Sequence, residues 1–176
     1  SVSDVSFDED NSGNISLSAS DIDEDNLTFS ITEGSDITAL LDGSDVTFSA
    51  PANYNGSETF TISVSDGDLT DSQSITVIVN AVNDAPIATA DLTGTTNEDQ
   101  SVVVTLSGSD IDGDNLVFSL DTDASNGSVV IDGSFATYTP SANFNGDDSF
   151  IFTVSDGFLI DQAMVVLTVN AVNDLS

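Results

Sequence analysis

The chain has 176 residues, 31 of them Asp or Glu, and no Lys, Arg, His or Cys, so its formal charge is −31 with nothing positive to oppose it. That composition excludes a Ser-His-Asp triad, a Cys/His pair, a Schiff-base lysine and any His- or Cys-ligated metal, and it repels nucleic acid and anionic lipid surfaces. Since 39% of the residues are hydrophobic, enough apolar surface remains for a folded core, and the chemistry left open is that of carboxylates and oxygen-ligated cations.

Taken in chain order, apolar residues alternate with polar ones at Ile15/Leu17/Ala19, Leu27/Phe29/Ile31, Val46/Phe48, Phe60/Ile62/Val64 and Ile75/Val77/Val79. The same period follows at Val102/Val104/Leu106, Leu116/Phe118/Leu120, Val129/Ile131, Ala136/Tyr138, Phe150/Phe152/Val154 and Val165/Leu167/Val169. A period of two marks half-buried strands. Gly, Asn, Asp and Ser punctuate the runs, and no helical stripe interrupts them. About seven short strands in roughly 90 residues predict a β-sandwich. No apolar run approaches the about 18 residues of a membrane span, and no signal-peptide pattern stands at Ser1, so a soluble mature piece or an excised fragment is expected.

The two series of strands are copies of one unit. Ser20-Asp21-Ile22-Asp23-Glu24-Asp25-Asn26-Leu27 recurs as Ser109-Asp110-Ile111-Asp112-Gly113-Asp114-Asn115-Leu116, an offset of 89 (110 − 21). Asn53-Tyr54-Asn55-Gly56 returns as Asn143-Phe144-Asn145-Gly146, Val64-Ser65-Asp66-Gly67 as Val154-Ser155-Asp156-Gly157, and Val79 to Asp84 as Val169 to Asp174, each offset by 90 (143 − 53). A fixed period along the whole chain is the mark of a tandem array. The expected domains are residues 1–84 and 85–176, the first with a truncated opening strand, because only eight residues precede Glu9 whereas 13 separate Asp84 from the equivalent Glu98.

Asp21/Asp23/Asp25 and Asp110/Asp112/Asp114 set three carboxylates at alternate positions of an inter-strand loop. Such charges repel unless a cation sits among them, and without Lys or Arg that cation must come from solution. Hard oxygen ligands on a flexible loop suit Ca²⁺ better than Mg²⁺, which demands a tight octahedron and keeps its waters. An EF-hand is a poor fit, since its sixth position needs Gly where this chain has Asn26 and Asn115, and no Gly-Gly-x-Gly-x-Asp run suggests a calcium β-helix. A solvated, turn-forming acidic loop is the alternative use of the same residues.

Asp-x-Asp-x-Asp-Asn after the second strand, Ser-Asp-Gly after the penultimate strand and Val82-Asn83-Asp84-Ala85-Pro86 at the junction together resemble the bacterial cadherin-like tandem repeats of large surface adhesins, over both copies almost end to end. The resemblance implies an all-β architecture of two seven-stranded Greek-key sandwiches of cadherin or Ig type in an extended array. It also implies Ca²⁺ at each junction, held by the base of one domain, the linker and the top of the next. Carried onto this sequence, those ligands are Glu9 and the Asn53-Tyr54-Asn55 segment, then Asn83, Asp84 and the Val82 carbonyl, then Asp110, Asp112, Asn115 and Asp156. By repetition, Asp21, Asp23, Asn26 and Asp66 form an N-terminal half-site, and Glu98, Asn143, Asn145, Asn173 and Asp174 a C-terminal one.

The sequence departs from animal cadherins in having Asn53 and Asn55 in place of a carboxylate pair, with Glu58 and Asp148 close by, and in a linker one residue shorter than Asn-Asp-Asn-Ala-Pro. Fewer charged ligands imply fewer or weaker ions, in the range of about 10⁻⁴ to 10⁻³ M seen in extracellular modules. Asn-x-Asn-Gly is equally a tight turn, and Asp66-Gly67 and Asp156-Gly157 equally hairpin turns. With no Cys for disulfides and no Lys for isopeptide cross-links, calcium is the stapling device left. The expected function is a calcium-rigidified extracellular extender of a bacterial adhesin or surface protein, not an enzyme, with calcium and neighbouring repeats as partners. The alternative is a module that contacts polysaccharide or another cell's repeats directly, and diffuse cation screening of an acidic surface is a third account.

Overall fold

The computed structural model describes residues 2–173 and divides into two units, Ser1–Val82 and Asn83–Ser176. In the first unit the chain runs through β1 (Val5–Asp8), β2 (Ser12–Ser16), β3 (Thr28–Ile31), β4 (Thr38–Asp42), β5 (Asp45–Ser49), β6 (Gly56–Ser65) and β7 (Thr70–Asn80). These seven strands form a four-stranded sheet ordered β1-β7-β6-β3 and a three-stranded sheet ordered β2-β5-β4. Pairing of β2 with β5 and of β3 with β6 makes the connections Greek key. Only β1 runs parallel to its neighbour, Val5 lying opposite Val77 on β7.

The alternation seen in the sequence becomes the two faces of each sheet. Phe60, Ile62, Ile75, Val77 and Val79 turn inward from the first sheet and meet Val46 and Phe48 from the second. Phe48 and Phe60 pack edge to face with ring centroids 5.3 Å apart, a favourable quadrupole arrangement across the sandwich. Two-residue turns at Gly43-Ser44 and Gly133-Ser134 close the β4/β5 hairpin and its counterpart. The positive φ of 63° at Gly43 and 58° at Gly133 is the backbone state such turns require.

The second unit repeats this plan through β8 (Ile87–Ala88), β9 (Leu92–Asn97), β10 (Val102–Thr105), β11 (Gly108–Ser109), β12 (Val117–Thr122), β13 (Gly127–Asp132), β14 (Phe135–Pro140), β15 (Gly146–Ser155) and β16 (Ile160–Asn170). Its sheets are β12-β15-β16-β9 and β10-β14-β13, and the short strand β8 pairs with β11. Tyr138, Phe150, Phe152, Val154, Val165 and Leu167 fill the core.

Three strands gave no clear apolar run in the sequence: β1, β4 and β9. On β9 the inward positions include Gly94, chosen by space and not by hydrophobicity: a Cβ there would lie 2.8 Å from Val104 Cγ2 and 2.9 Å from Leu167 Cδ2. On β4 the inward Ala39 and Leu41 are only half-buried and Leu40 faces solvent, which blurs the period.

Candidate metal centre

In the second unit, the segment after β11 bends so that Asp110 Oδ1 accepts hydrogen bonds from the backbone N–H of Asp112 (2.9 Å) and Asp114 (3.2 Å). Gly113, at φ 80°, permits the turn. The turn aims the side chains of Asp110, Asp112 and Asp114 at a common point, each bringing one carboxylate oxygen within 4.8 Å of the others. Asp110 Oδ2 is buried and has no hydrogen-bond partner among the described residues. A buried acceptor without a donor is costly, and a cation satisfies it.

The residues entering this unit close over the same turn. Asp84 N donates to Asp112 Oδ2 at 2.8 Å, and Asn83 Nδ2 donates to Asp156 Oδ2 at 2.8 Å and to the Asp84 carbonyl at 3.1 Å. Asp156, at the β15/β16 turn, also receives the Phe158 and Leu159 N–H groups on its Oδ1 at 2.6 and 2.7 Å. The Asn83 amide foremost, joined by these backbone donors against partial desolvation, holds the Asp156 carboxyl below its ordinary value. Asp110, Asp112, Asp156, Asn83 and Asp84, five residues implied by the cadherin resemblance, thus lie in one hydrogen-bonded group within this unit. Asn115 is exposed beside it. The resemblance did not assign Asp114 a ligand role. The alternating Asp pattern itself was the signal that points to it.

The donor set is uniformly hard oxygen: three carboxylates of the turn, Asp156, and the Asn83–Asp84 segment. It fits Ca²⁺ chemistry, in which six to eight oxygens at irregular angles are acceptable.

The first unit has the same turn without the same convergence. Asp21 Oδ1 accepts from Asp23 N (2.8 Å) and Asp25 N (3.3 Å), with Glu24 at φ 64° where the second unit has Gly113. Asp23, Asp25 and Asn26 are exposed, and among the described residues three carboxylates converge only at Asp110. Asp66 receives Asp68 N and Leu69 N on Oδ1 at 2.8 and 2.7 Å, and the Leu69 and Asp68 amides hold its carboxyl below the ordinary value.

Glu9 and Glu98 follow their strands β1 and β9 directly, and both are buried, at 3% and 7% exposure. Glu9 Oε1 accepts the Val82 N–H at 2.6 Å, while its Oε2 is buried without a hydrogen-bond partner among the described residues. Glu98 Oε1 accepts the Val172 N–H in the same way.

Asn53 and Asn143 occupy the turns before β6 and β15 with φ of 56° and 59°, their backbone N–H groups donating to Asp10 Oδ1 (3.1 Å) and Asp99 Oδ1 (3.0 Å). Asn53, Asn55, Asn143 and Asn145 are exposed, and their placement serves the turn whether or not an ion is present. Val82 and Asn173 are exposed, and Asp174 lies outside the described residues.

Glu58 and Asp148 point elsewhere. Glu58 collects Ser35 N, Asp36 N and Ile37 N at 2.8, 2.7 and 3.2 Å, and the Asp36 amide foremost, with the Ser35 and Ile37 amides, lowers its pKa against desolvation. Asp148 collects Ser125 N, Asn126 N and Tyr138 OH at 3.0, 2.8 and 3.0 Å. Each caps the loop ahead of the next sheet crossing, an assignment visible only once strands distant in sequence are paired.

The sequence matches the bacterial Ig domain family twice, over residues 1–78 and 83–168. No curated protein matches it. Among solved structures, the EC1-2 fragment of human protocadherin-24 is 20% identical with a TM-score of 0.59, over 92% of this chain and 88% of its own. Extracellular cadherin domains 1-4 of protocadherin gamma B7 are 14% identical with a TM-score of 0.57, over 98% of this chain and 51% of theirs. The chain spans only 28% of the length of an endo-fucoidan hydrolase from glycoside hydrolase family 107, at 20% identity and a TM-score of 0.42. The likeness to the two cadherin fragments shows a shared fold.

Proposed function

The chain belongs to the bacterial Ig domain family, in two tandem copies, and we propose that it is a calcium-stiffened extracellular spacer of a bacterial adhesin or surface protein. One observation carries the reading: three consecutive residues where one repeat passes into the next are each held by a different carboxylate. Val82 N is taken by Glu9, the Asn83 amide by Asp156 and Asp84 N by Asp112. A buried carboxylate oxygen without a hydrogen-bond partner among the described residues lies on Glu9 itself and, in the group that holds Asp112 and Asp156, on Asp110.

When bound, Ca²⁺ would supply positive charge that neutralises Asp110, Asp112, Asp114 and Asp156 and fixes the oxygens of the Asp110 turn. The remaining steps belong to the chain. Asp112 and Asp156, once ordered, hold Asp84 and Asn83 in place, which removes backbone freedom from the segment that would otherwise let the array bend. In chelator the same carboxylates repel one another and the segment loosens. Calcium of roughly millimolar concentration, as found outside cells, matches the affinity expected of such a site.

The composition supports the same reading. No disulfide or lysine isopeptide bond is available, and the absence of Lys and Arg leaves nothing for trypsin-type proteases to cut. Domains of this class are typically non-catalytic, and Glu9 and Glu98 each use one carboxylate oxygen, Oε1, to accept a backbone N–H beside the end of the last strand of their unit.

The test is calorimetric titration of the whole chain with Ca²⁺ and with Mg²⁺, paired with thermal unfolding. Binding of Ca²⁺ with a Kd of about 10⁻⁴ to 10⁻³ M, weakened about tenfold or more in Asp110→Asn, is the expected result. Equal stabilisation by Mg²⁺ and Ca²⁺ would leave only diffuse screening and remove the spacer mechanism.

A further inference from the structure

Eight glycines follow an Asp or an Asn, the arrangement in which the glycine nitrogen can close on the preceding side-chain carbonyl carbon because no Cβ stands in its way. Ring closure needs a free nitrogen and a backbone able to turn, and the fold withholds one or the other at seven of the eight. Asp42 and Asp132 are the last rungs of β4 and β13, opposite Asp45 and Phe135. Gly56, Gly127 and Gly146, after Asn55, Asn126 and Asn145, open β6, β13 and β15, opposite Val79, Pro140 and Val169. Gly67 N and Gly157 N donate to Ser65 Oγ at 3.1 Å and to Ser155 Oγ at 3.0 Å, and the Asp66 and Asp156 carboxylates beside them each accept a pair of backbone N–H groups.

Asp112–Gly113 is the eighth. Neither residue belongs to a strand and both are exposed, Gly113 N has no hydrogen-bond partner among the described residues, and a Cβ at Gly113 would meet nothing within 4 Å. The first unit carries the same turn with a different outcome. There Asp21 Oδ1 accepts from Asp23 N and Asp25 N at 2.8 and 3.3 Å, and Asp23 is exposed as Asp112 is, but the next residue is Glu24, whose side chain obstructs ring closure. The two repeats thus hold a reactive step and its unreactive counterpart in one chain.

We propose that Asp112–Gly113 is a site of spontaneous isoaspartate formation, and that this change dismantles the cation site of the second unit when calcium is withdrawn. Gly113 N attacks Asp112 Cγ: a C–N bond forms, the Cγ–O bond breaks, and the oxygen leaves as water with the amide proton and the carboxyl proton. Water then opens the cyclic imide. Attack at Cγ restores Asp112, whereas attack at the former main-chain carbonyl leaves the chain running through Cγ with the carboxylate on Cα. The water lost in the first step is regained in the second, so the composition is unchanged. The added backbone carbon separates Asp110 Oδ1 from Asp114 N and moves the carboxylate away from Asp84 N, two bonds that shape the turn and hold the residues entering the unit. A carboxylate engaged by a cation is fixed in place and does not take up the proton that its leaving oxygen requires, so bound calcium protects the step. That protection rests on the calcium reading given above; ring closure in chelator does not.

The test is to age the whole chain at neutral pH in chelator and in millimolar Ca²⁺, digest it with an endoproteinase that cuts before Asp and not before isoaspartate, and map the peptides by mass spectrometry. In chelator, isoaspartate should accumulate at position 112 severalfold faster than at Asp23, severalfold more slowly at 112 in calcium, and not at 112 in Gly113→Glu, a change for which Glu24 at φ 64° is the precedent. The aged chain should bind calcium roughly tenfold more weakly, as a charged ligand is displaced, and isoaspartyl methyltransferase with S-adenosylmethionine, which returns isoaspartate to Asp, should restore the affinity. The proposal is overturned if Asp112 survives ageing in chelator, if Asp23 converts as fast, or if calcium that the fresh chain demonstrably binds leaves the rate unchanged. A fresh chain that takes up no calcium defeats the calcium reading instead, and isoaspartate at 112 in chelator would still identify the site.

Discussion

Glu9 Oε1 accepts a hydrogen bond from the backbone N–H of Val82 at 2.6 Å, joining the end of the first strand to the residue that leaves the last one. Glu98 and Val172 repeat the relationship in the second unit. The bond ties each repeat shut beside the point where the chain moves on, and it does so with a side chain that is itself almost wholly buried.

Replacing Glu9 by Ala removes the acceptor of the part-buried Val82 N–H, a loss of about 1–2 kcal/mol for a hydrogen bond to a charged group that water can partly replace. Unfolding of the first unit should move down by roughly 4–8 °C for each kcal/mol at this domain size. Glu9→Gln keeps an acceptor oxygen and should recover most of that loss in chelator. A differential scanning experiment on the three chains reads both effects.

Asp110→Asn and Asp114→Asn each take one charge from the turn and should raise the calcium dissociation constant tenfold or more, with the larger effect at Asp110, whose Oδ2 is buried. At calcium a hundredfold above its Kd, the original chain gains about 2.7 kcal/mol by mass action. Thermal melts with and without the ion should show that increment shrinking in both variants, while the melts in chelator stay within about 1 kcal/mol of each other.

Asp148 gives the second unit an acid-sensitive brace. Burial alone would raise its pKa, but donation from Asn126 N, Ser149 N, Tyr138 OH and Ser125 N outweighs it and holds the carboxyl below its ordinary value. A group with a depressed folded pKa contributes stability above its unfolded value and loses it as pH falls through the folded one. Asp148→Ala should therefore cost about 2–4 kcal/mol near neutrality, from several charge-assisted bonds lost at once. Denaturant midpoints measured from pH 6 down to pH 2 should show the gap between the two chains closing below about pH 4.

Gly13 on β2 packs against the neighbouring sheet so closely that a Cβ would fall 2.5 Å from Phe7 Cδ1 and 2.8 Å from Val5 Cγ1. Gly13→Val should lower the first unit's stability by at least the about 1–3 kcal/mol typical of overpacking. Since the second unit keeps its own core, a calorimetric scan should then resolve two transitions where the original shows them closer together.

The parts of this architecture that show in the sequence are those where burial follows hydrophobicity. Phe150, Phe152 and Val154 alternate along β15 and are buried as their spacing demands. Strand β9 does not show, because space between sheets at Gly94 calls for the smallest residue and not for an apolar one. At the candidate metal centre, Asp110 and Asp112 are visible through repetition and Asn83, Asp84 and Asp156 through family resemblance. The caps formed by Glu58 and Asp148 depend on loops 21 to 23 residues away in the chain, a relation that no local spacing encodes. The Asn53 and Asn143 turns are read both ways by the sequence, and their left-handed backbone accounts for them as turns.

Calcium is proposed to stiffen the passage from one repeat to the next. Small-angle scattering of the whole chain, in chelator, in millimolar Ca²⁺ and in matched Mg²⁺ at one ionic strength, tests it most directly. A longer, narrower distance distribution in calcium alone, lost in Asp110→Asn, is the predicted result. Three superimposable curves would contradict it and reduce the clustered carboxylates to a solvated acidic surface.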